Sequence, residues 1–427
     1  MNTFQKTGLR IGIISYRSNP HCGGQGVYIR HLSHALSDLG HQVEVIAGPP
    51  DPQLNNRAKN GFNGQGNVKL TMLETLDLYN AEDLFRTPRP HELKDPVNLL
   101  EWLDVSAQGY PEPMTFGMRV TRHMKGRHRS LDIIHDNQSL SFGMLSLARH
   151  MPVTTTIHHP ITVDRRLEIQ STRSFIKKVK TMRWYSFIGM QKMVARRMPA
   201  IITVSDSSKR DISKEFKIPE SRFRTIPIGI DLDNFFPLDH IKKIPGRLIV
   251  TNSADMPLKG LYHLLHALKG VLAKRETSLT VIGTPKKNGG IEKLVKKLDL
   301  GRHIEFTGRV DHDRFVREYA RAEIAVVPSM YEGFGLPVGE AMACRIPVIS
   351  TTGGALPEVA GDAAKLVPPG DAKALENAII ELLDDPVERE RLAQKGYDRV
   401  HSEFTWEKTA MRTAKVYREV IDDYHGL

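Results

Sequence analysis

Two acids, Glu332 and Glu340, stand seven residues apart in YEGFGLPVGE (331–340), with Gly-Phe-Gly-Leu-Pro between them. A carboxylate accepts from several donors at once, which makes it a good partner for sugar hydroxyls. The segment follows an apolar run, EIAVVPS, and Pro337 suits the first turn of a helix continued by VGEAMAC. Glu332 then falls on the loop before that helix and Glu340 about one turn into it. The glycines leave backbone N–H groups accessible near the helix N-terminus, a ready site for phosphate or sugar oxygens. A plain strand–turn–helix with Glu340 as a solvated residue fits the local pattern equally well.

Such residues need elements to position them. LRIGIIS (9–15) reads as a short buried strand, followed by the Gly-rich turn HCGGQG. In VYIRHLSHALSDLG, Val27, Ile29, Leu32, Leu36 and Leu39 can share a helical face, and Gly40 stops the helix before the strand HQVEVIA (41–47). This βαβ opening predicts a parallel, doubly wound sheet. LDIIHD (131–136), VTTTIH (153–158), AIITVS (200–205) and FRTIPIG (223–229) continue it. From about residue 247 a second series begins: RLIVTNSA, SLTVIGT, HIEFTG, EIAVVPS and PVISTT, with helices such as KGLYHLLHALKGVLAK (259–274) and RFVREYARA (314–322) between. The stretch 49–130 starts loop-like, and its pattern places no element. FTWEKTAMRTAKVYREVIDDYH (404–425) reads as one or two helices.

The expected organisation is an N-terminal domain over 1–235, a second over 236–405, and a C-terminal helix, 406–427, packing back on the first. Open parallel sheets bind ligands at the carboxyl ends of their strands. The candidates sit there: the glycine loop at 22–26, His135, His158, Asn252–Lys259 and YEGFGLPVGE. Two such domains facing each other predict a cleft between them.

A length of 427 residues exceeds one ordinary core, and a formal net charge of +11 suits an anionic partner: a phosphorylated substrate, an anionic lipid surface or nucleic acid. Only two cysteines occur, Cys22 and Cys344, which points away from a disulfide framework and toward a reducing compartment. There is no secretory-leader pattern and no run of about 20 apolar residues, so a cytoplasmic protein is expected, with attachment to the inner face of a membrane left open. The triplets DLD (231–233) and DHD (311–313) match an acidic metal-binding pattern that is common by chance, and no metal site is read from them.

Over nearly the whole chain, and most strongly over 247–425, the sequence resembles the retaining glycosyltransferases of family 4. VVPSMYEGFGLPVGEAMACRIPVISTTGGALPEVAGDAAKLVPPGD (326–371) runs in that family's order, with its two acids seven residues apart. The resemblance implies a GT-B fold of two Rossmann-like domains. It implies that Glu332 binds donor hexose hydroxyls and that the amides of Phe334, Gly335 and Leu336 hold hexose and phosphate. Glu340 would bind the nucleotide ribose. NSADMPLKGL (252–261) resembles the diphosphate loop, in which Lys259 neutralises the diphosphate; Ser253 stands where the family usually has arginine, which implies either weaker diphosphate binding or compensation by another base such as Arg309 or Arg247. Gly23 and Gly24 in CGGQG would let the backbone approach donor phosphate or acceptor. His135 resembles a histidine at the cleft whose backbone or side chain meets the sugar, and His158 matches a second at a strand end.

The implied reaction moves a hexose from a nucleotide diphosphate sugar to an acceptor hydroxyl with retention, without metal or other cofactor. Closure of the domains would exclude water. An epimerase or phosphorylase on the same fold, or a non-catalytic nucleotide-sugar-binding protein, are the alternatives. In 165–197, ten basic residues with interleaved Phe175, Ile176, Val179, Met182, Trp184, Tyr185 and Ile188 face one acid, Glu168. Such a segment can lie on an anionic membrane and bring a lipid-linked acceptor within reach. A domain helix with a solvated basic face is the plainer reading. No nucleic-acid-binding module accompanies it.

Overall fold

The computed structural model describes residues 8–19, 24–54, 68–80, 83, 86–172, 174–251 and 256–427. The chain divides into two compact units. One comprises Met1–Val204, Ser208–Ile226 and Thr409–Leu427; the other Ser205–Ser207 and Pro227–Lys408.

The first unit is built on a seven-stranded parallel sheet. Its strands are β1 (Arg10–Ser15), β2 (Gln42–Ala47), β3 (Lys69–Met72), β4 (Ile133–Asn137), β5 (Val153–Ile157), β6 (Ile201–Thr203) and β7 (Phe223–Thr225), in the order β3-β2-β1-β4-β5-β6-β7. β5 and β6 read as unbroken apolar or β-branched runs because helices cover both faces of a parallel sheet, whereas β4, IIHDN, buries three polar side chains at its carboxyl end. The unassigned 49–130 stretch contains β3 and the helices Pro96–Ser106 and Glu112–Met124. β3 is a half-exposed edge strand, KLTM, too short and too mixed to carry a periodic signal.

The second unit repeats the plan with six strands: β8 (Arg247–Thr251), β9 (Ser278–Ile282), β10 (Ile304–Phe306), β11 (Ile324–Val327), β12 (Val348–Thr351) and β13 (Lys365–Val367), in the order β10-β9-β8-β11-β12-β13. In the helix Leu261–Leu272, Leu261, Leu264, Leu265, Leu268 and Val271 recur at helical spacing and are all buried, packing with Val250, Val281, Val326 and Ile379 into one core. Both sheets share one winding rule. The first strand lies centrally, the chain winds outward on one side, then returns to the other side of that strand.

Trp406–His425 is a single 20-residue helix, and its Thr409–Leu427 part belongs to the first unit. His135 fastens it. Both ring nitrogens are taken: Nδ1 lies 2.6 Å from the Tyr417 hydroxyl and Nε2 lies 2.7 Å from Thr156 Oγ1. The residue is fully buried, and burial pushes its pKa down to about 3. The His135 side chain is thus spent inside the first unit, a neutral core residue joining β4, β5 and the C-terminal helix, and of the two readings only a backbone contact with the sugar is left to it. Tyr417→Phe should leave one buried imidazole nitrogen unpartnered and lower stability by about 1–3 kcal/mol. Denaturant titration reads this directly, and an unchanged midpoint would show that the hydroxyl holds nothing.

Candidate active site

The reversal of strand order in the second unit falls between β8 and β11, where neighbouring strands send their exits in opposite directions. After β8 the chain passes through a short 3-10 turn, Pro257–Lys259, and Gly260 starts the next helix. After β11 it passes through Ser329 and Glu332 to the helix Leu336–Ala343. The two exits are stitched together. Met330 N–H donates to Leu258 O at 2.7 Å. Lys259 Nζ and Ser329 Oγ both donate to Glu332 Oε1, each at 2.8 Å. Gly260 has φ +69°, and a Cβ there would stand 1.9 Å from Pro328 O, so no other residue fits without moving the loop.

The backbone of Glu332 is clamped from the other side as well. It bridges Gly354 beyond β12, and its carbonyl accepts from Ala355 N–H at 2.9 Å. Gly354 lies at φ +63° with a would-be Cβ 2.3 Å from that carbonyl. The Glu332 carboxylate is 13% exposed and Lys259 29% exposed. This is a partly open ion pair at the carboxyl edge of the sheet. Sequence reasoning gave Lys259 and Glu332 separate tasks; the structure makes them one unit.

Glu340 lies one turn into the helix Leu336–Ala343, on the same edge. Its carboxyl is pushed up to about 7, first by burial, then by repulsion from Asp231 and Glu332, against which Lys259 pulls in the other direction. Phe334 is buried against Phe404, and Gly335 caps the helix in a left-handed conformation. First-turn amides of a helix have no intrahelical acceptor. Leu336 thus opens an N-terminus beside Glu332, as the glycine-rich turn implies.

Gly23 and Ser253 lie outside the described residues, as does Cys22. Of the two bases weighed against Ser253, Arg247 opens β8 at the amino end of the sheet, bound to Glu318 at 2.6 Å and Thr280 Oγ1 at 2.9 Å. It faces the wrong edge. Arg309 follows β10 at the carboxyl edge and is exposed, two strands from β8, or about 10 Å across the sheet. The acidic triplets are structural. Asp311 caps the helix His312–Arg321 through Arg314 N–H at 2.8 Å, and Asp231 accepts from Asn234 Nδ2 at 2.6 Å. Among the described residues no group of three or more His, Cys, Asp or Glu side chains could hold a metal ion.

In the first unit the reversal falls between β1 and β4. Gly24 begins the helix Gly24–Asp38, and a Cβ there would meet nothing within 4 Å, whereas at Gly26 it would stand 1.9 Å from Asn19 O. Gly24 is thus open to a ligand and Gly26 is a packing requirement. His158, just past β5, is buried and neutral, its pKa down to about 3 through burial, with Nε2 2.8 Å from Asn137 Oδ1. The next residue, His159, is 35% exposed and places Nε2 2.7 Å from Asp164 Oδ2. This pairing and Ser329 went unnoticed in the sequence. The HHP and D-R-R spacing around a strand end could have signalled the first; nothing local signals the second.

Two family models match the chain: "Glycosyltransferase Family 4" over residues 22–234 and "Glycosyl transferases group 1" over 241–399. Over 417 residues it is 40% identical to the MMP alpha-(1->4)-mannosyltransferase of Mycolicibacterium hassiacum, covering 97% of this chain and 98% of that one. The chain belongs to the family 4, group 1 glycosyltransferases. This glycosyltransferase is also 30% identical, over 213 residues, to the GDP-mannose-dependent monoacylated alpha-(1-6)-phosphatidylinositol monomannoside mannosyltransferase of Corynebacterium glutamicum; that match covers 45% of this chain and 55% of that one. Sucrose-phosphate synthase from Thermosynechococcus elongatus superposes with a TM-score of 0.72 at 23% identity, over 97% of this chain and 99% of that one. At that identity the likeness speaks for the fold, which is GT-B.

Glu340 supplies a pH test. The folded enzyme holds its proton more tightly than the unfolded chain does. Its contribution to stability therefore falls as pH rises from about 4.5 to about 7, then levels off. Melting curves of Glu340→Gln against the parent should diverge in the variant's favour across that window, on the order of 1–3 kcal/mol at its top. Taking the difference removes Glu112, another buried carboxyl pushed up to about 7. Parallel curves would mean that Glu340 is already ionised in the free protein.

Proposed function

We propose that this glycosyltransferase moves mannose from GDP-mannose to an acceptor hydroxyl with retention of the α configuration, forming an α-(1→4) link. The observation that carries the proposal is the Lys259–Glu332–Ser329 cluster at the β8/β11 reversal, with Glu340 one helical turn away. The sugar and linkage are supported by the full-length likeness to an α-(1→4)-mannosyltransferase, and the base by the partial likeness to a GDP-mannose-dependent enzyme.

In this reading the hexose hydroxyls donate to Glu332, the ribose hydroxyls donate to Glu340, and the diphosphate lies between Lys259 and the helix N-terminus at Leu336. The acceptor oxygen bonds to C1 as the bond from C1 to the diphosphate oxygen breaks. The acceptor proton passes to the departing phosphate, so GDP leaves from the face on which the acceptor enters. Lys259 and the helix N-terminus meet the charge that grows on the leaving group, which is the task a metal performs in other transferases. Arg309 lies at the right edge to supply the charge that Ser253 does not. A cytoplasmic enzyme, attached peripherally to the inner face of a membrane and serving a lipid-linked acceptor, completes the reading.

A thermal-shift panel with GDP, UDP and ADP tests the donor. GDP at about 100 times its dissociation constant should add about 2.7 kcal/mol, and Lys259→Ala should lose most of that gain. A response to UDP alone would sink the GDP assignment. Glu332→Gln should cut mannosyl transfer about 10- to 100-fold while GDP binds at least as tightly, since Lys259 is released from its ion pair. A wild-type transfer rate in that variant would remove Glu332 from the hexose site, and a β-linked product by NMR would end the retaining mechanism.

A further inference from the structure

β5 and β6 are parallel neighbours, and one crossover helix suffices to join them. Ile188–Ala195 is that helix, with Met190, Val194 and Ala195 in the core. The preceding pair of helices, Thr162–Ser171 and Phe175–Trp184, is extra, and it begins five residues beyond β5 at the ligand-binding edge of the sheet.

The inner face of the second helix is well determined. Glu168 accepts from Thr181 Oγ1 at 3.3 Å and from the Tyr185 hydroxyl at 3.1 Å. Trp184 stacks on Tyr110 with centroids 4.9 Å apart and meets Tyr79 edge-on at 5.6 Å. With Thr181 and Trp184 turned inward, Phe175, Val179 and Met182 line the opposite face and Ile176 flanks them. They are 78%, 48%, 61% and 67% exposed respectively. Single exposed apolar residues are ordinary; four large ones on one face of a ten-residue helix form a patch that needs a partner. Leu99 and Leu103 are also exposed, on the helix whose Asp104 pairs with Arg183.

Charge says which partner. The helix carries Lys177, Lys178, Lys180 and Arg183 and no acid. A second copy of the chain would bring one basic face against another, which repels. We propose that the helix Phe175–Trp184 lies on an anionic lipid surface, with Phe175, Ile176, Val179 and Met182 inserted at the headgroup boundary and the lysines against lipid phosphates. Docking there holds the carboxyl edge of the first unit, with Gly24, Asn137 and the His159–Asp164 pair, beside the membrane, where a lipid-borne acceptor would be presented. The inference rests on and sharpens the peripheral attachment proposed above, and its own ground is the exposure and charge of this helix, whichever nucleotide sugar the enzyme uses.

Flotation of the full chain with phosphatidylglycerol-containing and pure phosphatidylcholine vesicles tests this. Binding is expected to the first only, and to weaken steeply between about 0.05 and 1 M salt as screening shortens from more than 10 Å to about 3 Å. Phe175→Asp with Met182→Asp should lower the bound fraction at least tenfold at an unchanged melting temperature. Charge reversal at Lys178 and Lys180, which flank the packed face rather than share it with Thr181 and Trp184, should cost about fivefold per residue. No flotation at low salt, equal binding to neutral vesicles, or undiminished binding by both variants would overturn the proposal. So would a wild-type dimer in sedimentation that the Asp variant abolishes without any flotation.

Discussion

The winding of each sheet is the constraint from which the rest follows. A parallel sheet that starts in its middle must send two adjacent strands into connections that diverge, because one chain segment turns left and its neighbour turns right. Between β8 and β11 the loops that leave the two strands therefore meet at the carboxyl edge of the sheet. The loops at that edge cannot be held by the sheet itself, so they are held by each other: Met330 to Leu258, Lys259 to Glu332, and Glu332 to Gly354. The left-handed glycines at 260 and 354 are the local price of such close approach, and their carbonyl neighbours leave no room for a side chain.

The two acids of the site live in different electrostatic surroundings although seven residues separate them. Glu332 has an ammonium and a hydroxyl on the same oxygen. Glu340 is crowded by Asp231 and by Glu332 itself, and burial weighs most against its charge. Ligand hydroxyls that donate to Glu340 would favour its ionised form, so in the proposed reading a nucleotide sugar would supply what the free protein lacks. A glycan-transferring enzyme gains from this asymmetry: one acid is prearranged and the other is completed only by the right ligand.

The second unit was more legible in the sequence than the first. Its strands are apolar runs bounded by turn residues; EIAVVPS and PVISTT appear as β11 and β12 within a residue or two, and RLIVTNSA begins where β8 begins. β13 has only three residues, and β3 has four on an exposed edge, so neither shows a period. Local pattern placed Lys259, Glu332 and Glu340 at a strand exit or helix start, and only the resemblance to family 4 singled them out as candidates. Their mutual geometry was not readable, since 73 residues separate Lys259 from Glu332 and only the sheet order brings them together. His135 misled for a related reason. It lies at the middle of β4, and in a sheet covered on both faces a polar residue two positions before a strand end falls in the core. Those partners, Thr156 and Tyr417, lie 21 and 282 residues away.

The basic segment 165–197 shows the limit of composition most clearly. Lysines alternating with Phe, Ile, Val and Met describe two opposite helices: one that buries its apolar face in the protein, and one that turns that face outward. Hydrophobic free energy alone prefers the first. The decision comes from the few side chains that can be satisfied only inward. Thr181 reaches Glu168, and Trp184 finds Tyr110 and Tyr79. These lie on the far side from Phe175 and Met182, and once they are seated the apolar stripe has nowhere to face but outward. The orientation of this helix is therefore set by a hydrogen bond and an aromatic stack, and its exposed stripe is the consequence.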